Sequence, residues 1–226
     1  ADITISGGHV VAHCNGTGAA IGGGIGWFSS GGPANVKITG GTVYAKNHGK
    51  IFVKVTATNE NGVPTASSIV KESQEHDAVV GGVAIGSGSS FFGSGNKGTV
   101  SIEDGTVEAY GTFGNGIGGG NSSAAQGGEA DIDISGGKVT ANAIGGGDSR
   151  DYVGGLADVN ISGTAAVTLV QGTSDSSGIG GGNSSSYAGG SATIYITGGT
   201  VKANSIGGGN SAKGAGGDAT ITKLVL

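Results

Sequence analysis

Apolar and polar residues alternate along this chain in short runs that return in a fixed order. The stretch "IDISGG" at Ile132 turns Ile132 and Ile134 one way and Asp131 and Asp133 the other, the mark of a strand with one buried face. The same run recurs as "ITISGG" at Ile3, "VKITGG" at Val36, "VSIEDG" at Val100, "VNISGT" at Val159 and "IYITGG" at Ile194. A second alternating run follows each of them, in chain order "HVVAH", "TVYAK", "TVEAY", "KVTAN", "AVTLV" and "TVKAN". A third element, "IGGG" at Ile21, Ile117, Ile144, Ile179 and Ile206 and "IGSG" at Ile85, then leads into a Ser/Gly-rich loop. The central isoleucines of the first runs, Ile5, Ile38, Ile102, Ile134, Ile161 and Ile196, are spaced by 33, 64, 32, 27 and 35 residues.

One such unit cannot bury its apolar side alone. Stacked at about 4.8 Å, successive units place like residues above like and close a continuous core. The predicted fold is therefore all-β: a single-stranded, right-handed parallel β-helix (β-solenoid) of about six to seven coils with three short sheets, occupying residues 1–226 as one domain. Glycines serve its corners, where φ is positive and stacked backbones approach closely. The residue after GGG is Asn121, Asp148, Asn183 and Asn210 in the last four coils, which predicts a hydrogen-bonded ladder along one edge. A last half-unit, "ATITKLVL", has Lys223 where the pattern wants an apolar residue, as a terminal cap would.

Residues 48–79 have no counterpart in the other units. "IFVKVTAT", the turn signal "NENG" and "VPTASSIV" read as a projecting β-hairpin, and an extra degenerate coil is the alternative. The turn chemistry favours the hairpin.

Composition narrows the function. Glycine supplies 53 residues but proline 2, and charged residues make up 12%, which excludes collagen and a highly charged disordered chain. A net charge of -5 with scattered lysines leaves no basic stripe for nucleic acid. The lone Cys14 excludes an internal disulfide framework and a multi-cysteine metal site. No run approaches the 18 or so apolar residues of a membrane span, so membrane insertion is not expected, and the chain reads as a mature or excised soluble domain. "GNGIGGG" resembles a dinucleotide loop, but no helical period follows any copy, so nothing supplies the helix N-terminus that phosphate binding needs.

Four groups of residues carry candidate chemistry. Glu129, Asp131 and Asp133 share one outward face, and the next unit sets Asp158 over Asp131 and Asn160 over Asp133. Like charges about 5 Å apart repel unless a cation or a shared proton relieves them, so this patch is the candidate metal site, calcium the cofactor it would take, and a solvated acidic face the alternative. Acid pairs on neighbouring coils are also what a glycoside hydrolase or lyase would use. The second runs present Tyr44, Lys46, Glu108 and Tyr110 on one flat face, aromatic rings beside hydrogen-bonding groups, which suits a saccharide; a stacked pair that merely stabilises the sheet is the other reading. His9 and His13, roughly 13 Å apart along one strand, cannot share a metal and read as surface residues, with Cys14 facing the other way. The loop aromatics Trp27, Phe28, Phe91 and Phe92 either form an exposed grip or fold inward to cap the solenoid, and capping is favoured. Phe113, Tyr152 and Tyr187 fall in similar loops.

The units "ATIYITGGTVKANSIGGGNS" and "ADIDISGGKVTANAIGGGDS" resemble the Gly-rich repeats of bacterial secreted and cell-surface β-helix proteins, including carbohydrate-binding β-helix domains. The resemblance covers nearly the whole chain except the hairpin. It implies a secreted or cell-surface bacterial protein that meets a polysaccharide or a cell-surface glycan. It carries over no ligand residues, because the matching positions are corners and core. The expected function is a non-catalytic carbohydrate-binding or adhesion module, with a polysaccharide-active enzyme and a structural spacer or phage-type adhesin as alternatives. An ice-binding face is disfavoured because Lys, Glu and Tyr interrupt the outward threonine columns.

Overall fold

The computed structural model describes residues 1–48, 54–58, 64–69, 81–112, 114–170 and 178–223. Among them no helix forms, and the strands build three parallel sheets. The first sheet stacks β1 (Asp2–Ile5), β4 (Ala34–Ile38), β9 (Gly98–Ile102), β12 (Ala130–Ile134), β15 (Ala157–Ile161), β18 (Ala192–Ile196) and β21 (Ala219–Lys223). The second stacks β2 (His9–Cys14), β5 (Thr42–Asn47), β10 (Thr106–Gly111), β13 (Lys138–Ala141), β16 (Ala166–Leu169) and β19 (Thr200–Lys202). The third stacks β3 (Ile21–Gly22), β8 (Ile85–Gly86), β11 (Ile117–Gly118), β14 (Ile144–Gly145), β17 (Gly178–Gly180) and β20 (Ser205–Gly207). Each of six coils gives one strand to each sheet, and β21 starts a further turn. This is a parallel β-helix.

The register is the one the repeat dictates. Ile5, Ile38, Ile102, Ile134, Ile161 and Ile196 lie in one column of paired residues, and Ile21, Ile85, Ile117, Ile144, Ile179 and Ile206 in another. These isoleucines meet the valines and alanines of the second sheet in one core that is sealed in the middle coils and thins towards both ends. Lys223 occupies the next place in the first column, opposite Ile196. A slip of one residue in any coil would turn its apolar set to water, so the pattern alone fixes the pairing.

Glycine is required where coils touch. Gly145 holds φ at +148°, and a Cβ there would overlap the Gly180 carbonyl of the next coil. Gly137 turns β12 into β13 with φ at +76°, a left-handed bend that other residues resist.

β6 (Lys54–Thr58) and β7 (Pro64–Ile69) pair antiparallel with each other in a sheet of their own, the arrangement of a hairpin and not of another coil. The "NENG" turn lies outside the described residues.

Candidate functional site

Side chains that point outward from the coils form three surfaces. On the second sheet, Tyr44 is paired with Val11 on one side and Glu108 on the other, while Tyr110 lies beside Lys46. The tyrosines therefore meet on the diagonal, ring centroids 6.0 Å apart and planes tilted by 57°. Tyr110 directs its hydroxyl at Glu108 Oε2 across 3.4 Å. Burial first, and then the neighbouring Glu108 carboxylate, push the Tyr110 phenol above its ordinary pKa, so it stays a proton donor over the whole neutral range. The His13 ring stands 5.5 Å from Tyr44, and its Nδ1 lies 3.1 Å from Nε2 of His48. All four predicted residues, Tyr44, Lys46, Glu108 and Tyr110, are thus brought together, half-buried, with a histidine pair at their edge. His13 is a surface residue, as the strand spacing suggests, and it has a second histidine beside it. Its partner follows β5 in the next coil, and only stacking of the coils reveals it.

The acidic patch has the expected register, with Asp131 beside Asp158 and Asp133 beside Asn160. Its carboxylates nonetheless do not converge. Lys97 Nζ lies 3.0 Å from Asp131 Oδ2, and Asn160 Nδ2 donates to Asp133 Oδ1 at 3.1 Å. Glu129, ahead of β12, borders a shallow polar recess with Lys97 and Gln126. Among the described residues no group of three His, Cys, Asp or Glu side chains is gathered as a metal ion needs. Two of the four carboxylates are already partnered, Asp131 by Lys97 and Asp133 by Asn160, and Glu129, Asp131, Asp133 and Asp158 stand side by side along the outward face instead of around a point. A lysine and an amide relieve the repulsion that a cation was expected to relieve.

The third surface is a crest of loops, which project after the IGGG corners. Gly26, Ser90, Ser122, Ser149, Ser184 and Ser211 pair in parallel from coil to coil. Each of these serines receives the amide three residues on, as Tyr152 N does with Ser149 Oγ at 3.0 Å, and donates its hydroxyl to a carbonyl of the preceding loop, as Ser149 does to Ala125 at 2.7 Å. Ser90, Ser122, Ser184 and Ser211 repeat both bonds. Beside this serine ladder runs the predicted amide ladder: the backbone amides of Asp148, Asn183 and Asn210 donate to the side-chain oxygens of Asn121, Asp148 and Asn183. The serine ladder is legible in retrospect in the last four coils, where a serine follows each of Asn121, Asp148, Asn183 and Asn210.

The ladders set the loop aromatics in columns. Trp27 stacks on Phe91 at 4.7 Å with planes 15° apart, and Phe28 on Phe92 at 5.3 Å and 6°. The expected inward cap is not formed: Trp27 is 54% exposed, Phe28 85% and Phe92 58%. Inward space is already filled by the isoleucine columns, and adjacent loops bond to each other so that their side chains face solvent. Tyr152 and Tyr187 form a separate tilted pair at 5.4 Å, and Phe113 lies outside the described residues.

The fold is that of a parallel β-helix of the solenoid type. The family model described as β-helix repeat matches residues 3–25, 100–121 and 132–148, each a strand pair with its corner. Neither the curated proteins nor the solved structures contain a match.

Proposed function

We propose that this protein is a non-catalytic carbohydrate-binding or adhesion module of an exported bacterial protein, and that it recognises glycan on the outward face of its second sheet. The observation that carries the reading is the patch across the first three coils, where the Tyr44–Tyr110 pair is flanked by Lys46, Glu108 and the His13–His48 pair. A pyranose offers an apolar C–H face and a rim of hydroxyls. Tilted phenol rings meet the first, and a lysine, a carboxylate and a phenol held protonated meet the second. The acidic coils support an enzyme less well: Asp131 and Asp158 are neighbours on an open sheet, not a pair facing across a scissile bond, and Asp131 is already paired with Lys97.

The test is a glycan microarray probed with the wild type and with Tyr44→Ala and Tyr110→Ala. Both variants should weaken binding to at least one glycan about tenfold, the size of a lost ring contact. Unchanged affinity for every bound glycan would exclude the sheet face.

A further inference from the structure

The crest carries a feature that the repeat does not require. Loop positions are fixed by backbone hydrogen bonds: Phe91 N and Phe92 N donate to Gly26 and Trp27, Ser123 N and Ala124 N to Ser90 and Phe91, Arg150 N and Asp151 N to Ser122 and Ser123. Reading up one column gives Trp27, Phe91, Ser123, Arg150, and up the next gives Phe28, Phe92, Ala124, Asp151. Two layers of stacked rings thus stop at the loop of the third coil, whose side chains at these positions are the small Ser123 and Ala124. The column resumes one loop later with Arg150 and Asp151, joined to each other at 3.3 Å, and beside them Tyr152. Between Phe91/Phe92 and Arg150/Asp151 lie two coil steps, about 9.6 Å, and at these positions the middle loop carries only the hydroxymethyl of Ser123 and the methyl of Ala124. A ring belongs there by the logic of the stack, and the described residues supply none.

We infer that this trough is a second glycan subsite, distinct from the sheet face, which takes one pyranose ring of a neutral, equatorially linked saccharide. A ring stacked on an aromatic face needs roughly 4 Å, so the space holds a single sugar between the two walls. Equatorial substitution leaves only axial hydrogens on the ring faces, which is the shape that the outer face of a stacked ring accepts, and Phe91 on Trp27 and Phe92 on Phe28 end their stacks there. On the other wall Arg150 is a donor and Asp151 an acceptor for ring hydroxyls, and Ser123 adds a hydroxyl from the floor. Because Arg150 and Asp151 cancel each other's charge, the wall selects a neutral sugar over an acidic one. The serine ladder holds Phe91, Phe92 and Tyr152 in place before any ligand arrives, which lowers the ordering cost of binding.

Trp27 is the only tryptophan in the chain and stacks on Phe91, so its fluorescence reports on the trough. Titration with cellotetraose, a β-1,4-linked all-equatorial tetrasaccharide, should change that fluorescence, with maltotetraose and trigalacturonate at least tenfold weaker. Ser123→Phe fills the trough with the missing ring and should abolish the response while the melting temperature holds or rises. Phe92→Ala should weaken binding about tenfold. The Tyr44→Ala, Tyr110→Ala double variant should respond as the wild type does, which separates this subsite from the sheet face. The inference is overturned by no response to cellotetraose up to its solubility, by undiminished binding in Ser123→Phe, by loss of the response in the tyrosine double variant, or by a response to N-acetyltyrosinamide in its place, which would mark the trough as a seat for a protein's aromatic side chain.

Discussion

A single phenol shows how a surface residue acquires chemistry from its neighbours. Tyr110 has its pKa raised first by burial in the sheet and then by Glu108 and Tyr44, all of which disfavour the phenolate. In the folded state the protonated form is therefore preferred. The sign follows: stability is unaffected below the ordinary phenol pKa of about 10 and falls as pH rises from there through the higher folded value. An alkaline titration followed by phenolate absorbance should find one late-titrating tyrosine that Tyr110→Phe removes. Glu108→Gln should bring that titration down only part of the way, because burial, the larger cause, remains. If Glu108→Gln leaves the late tyrosine where it was, Glu108 does not act on it.

At the scale of the element, a coil is held by its corner and its ladders more than by its strands, which are only two to six residues long. Gly145→Ala places a methyl against the Gly180 carbonyl and forces a residue with a side chain into φ +148°, so it should cost about 3 kcal/mol or more. Ser149→Ala removes a donor to Ala125 and an acceptor for Tyr152, both at a buried position, and should cost about 2 kcal/mol. Urea unfolding measures both, and a Gly145→Ala protein as stable as the wild type would mean that the coils can part at the corner. The corner was readable in the sequence because "IGGG" recurs and three consecutive glycines have few other uses. The aromatic columns were not, because nothing in "GWFSSGG" says whether Trp27 and Phe28 turn in or out. That depends on whether the core is already full.

For the whole molecule, a solenoid has no single centre. Each coil touches only its two neighbours, so the value of a core residue depends on how many neighbours it has. Ile134 is sealed between Ile102 and Ile161, whereas Ile3, in the outermost strand among the described residues, pairs with Val36 and is half-buried. Ile134→Ala should then lose about 3 kcal/mol and Ile3→Ala about 1 kcal/mol, again by urea unfolding. Equal losses would show that the end coil is as firmly held as the middle. The same one-dimensional order sets ligands along the outside: because every coil repeats the last with small changes, a surface feature such as the sheet patch or the loop trough arises where one coil departs from the pattern.

The sequence by itself determined the period, the strand alternation, the pairing partner of every isoleucine column and the need for glycine at the corners, because each follows from burying one face of a repeated strand. It also named the residues of the tyrosine patch and the register of the acidic one. Only the tertiary structure decided which outward residues meet. It joined His13 to His48 across coils, met Asp131 with Lys97 from the previous loop, and turned Trp27, Phe28 and Phe92 into solvent. Inward positions answer to a rule that repeats with the chain, while contacts between outward side chains depend on the height and direction of neighbouring coils, which no single repeat contains.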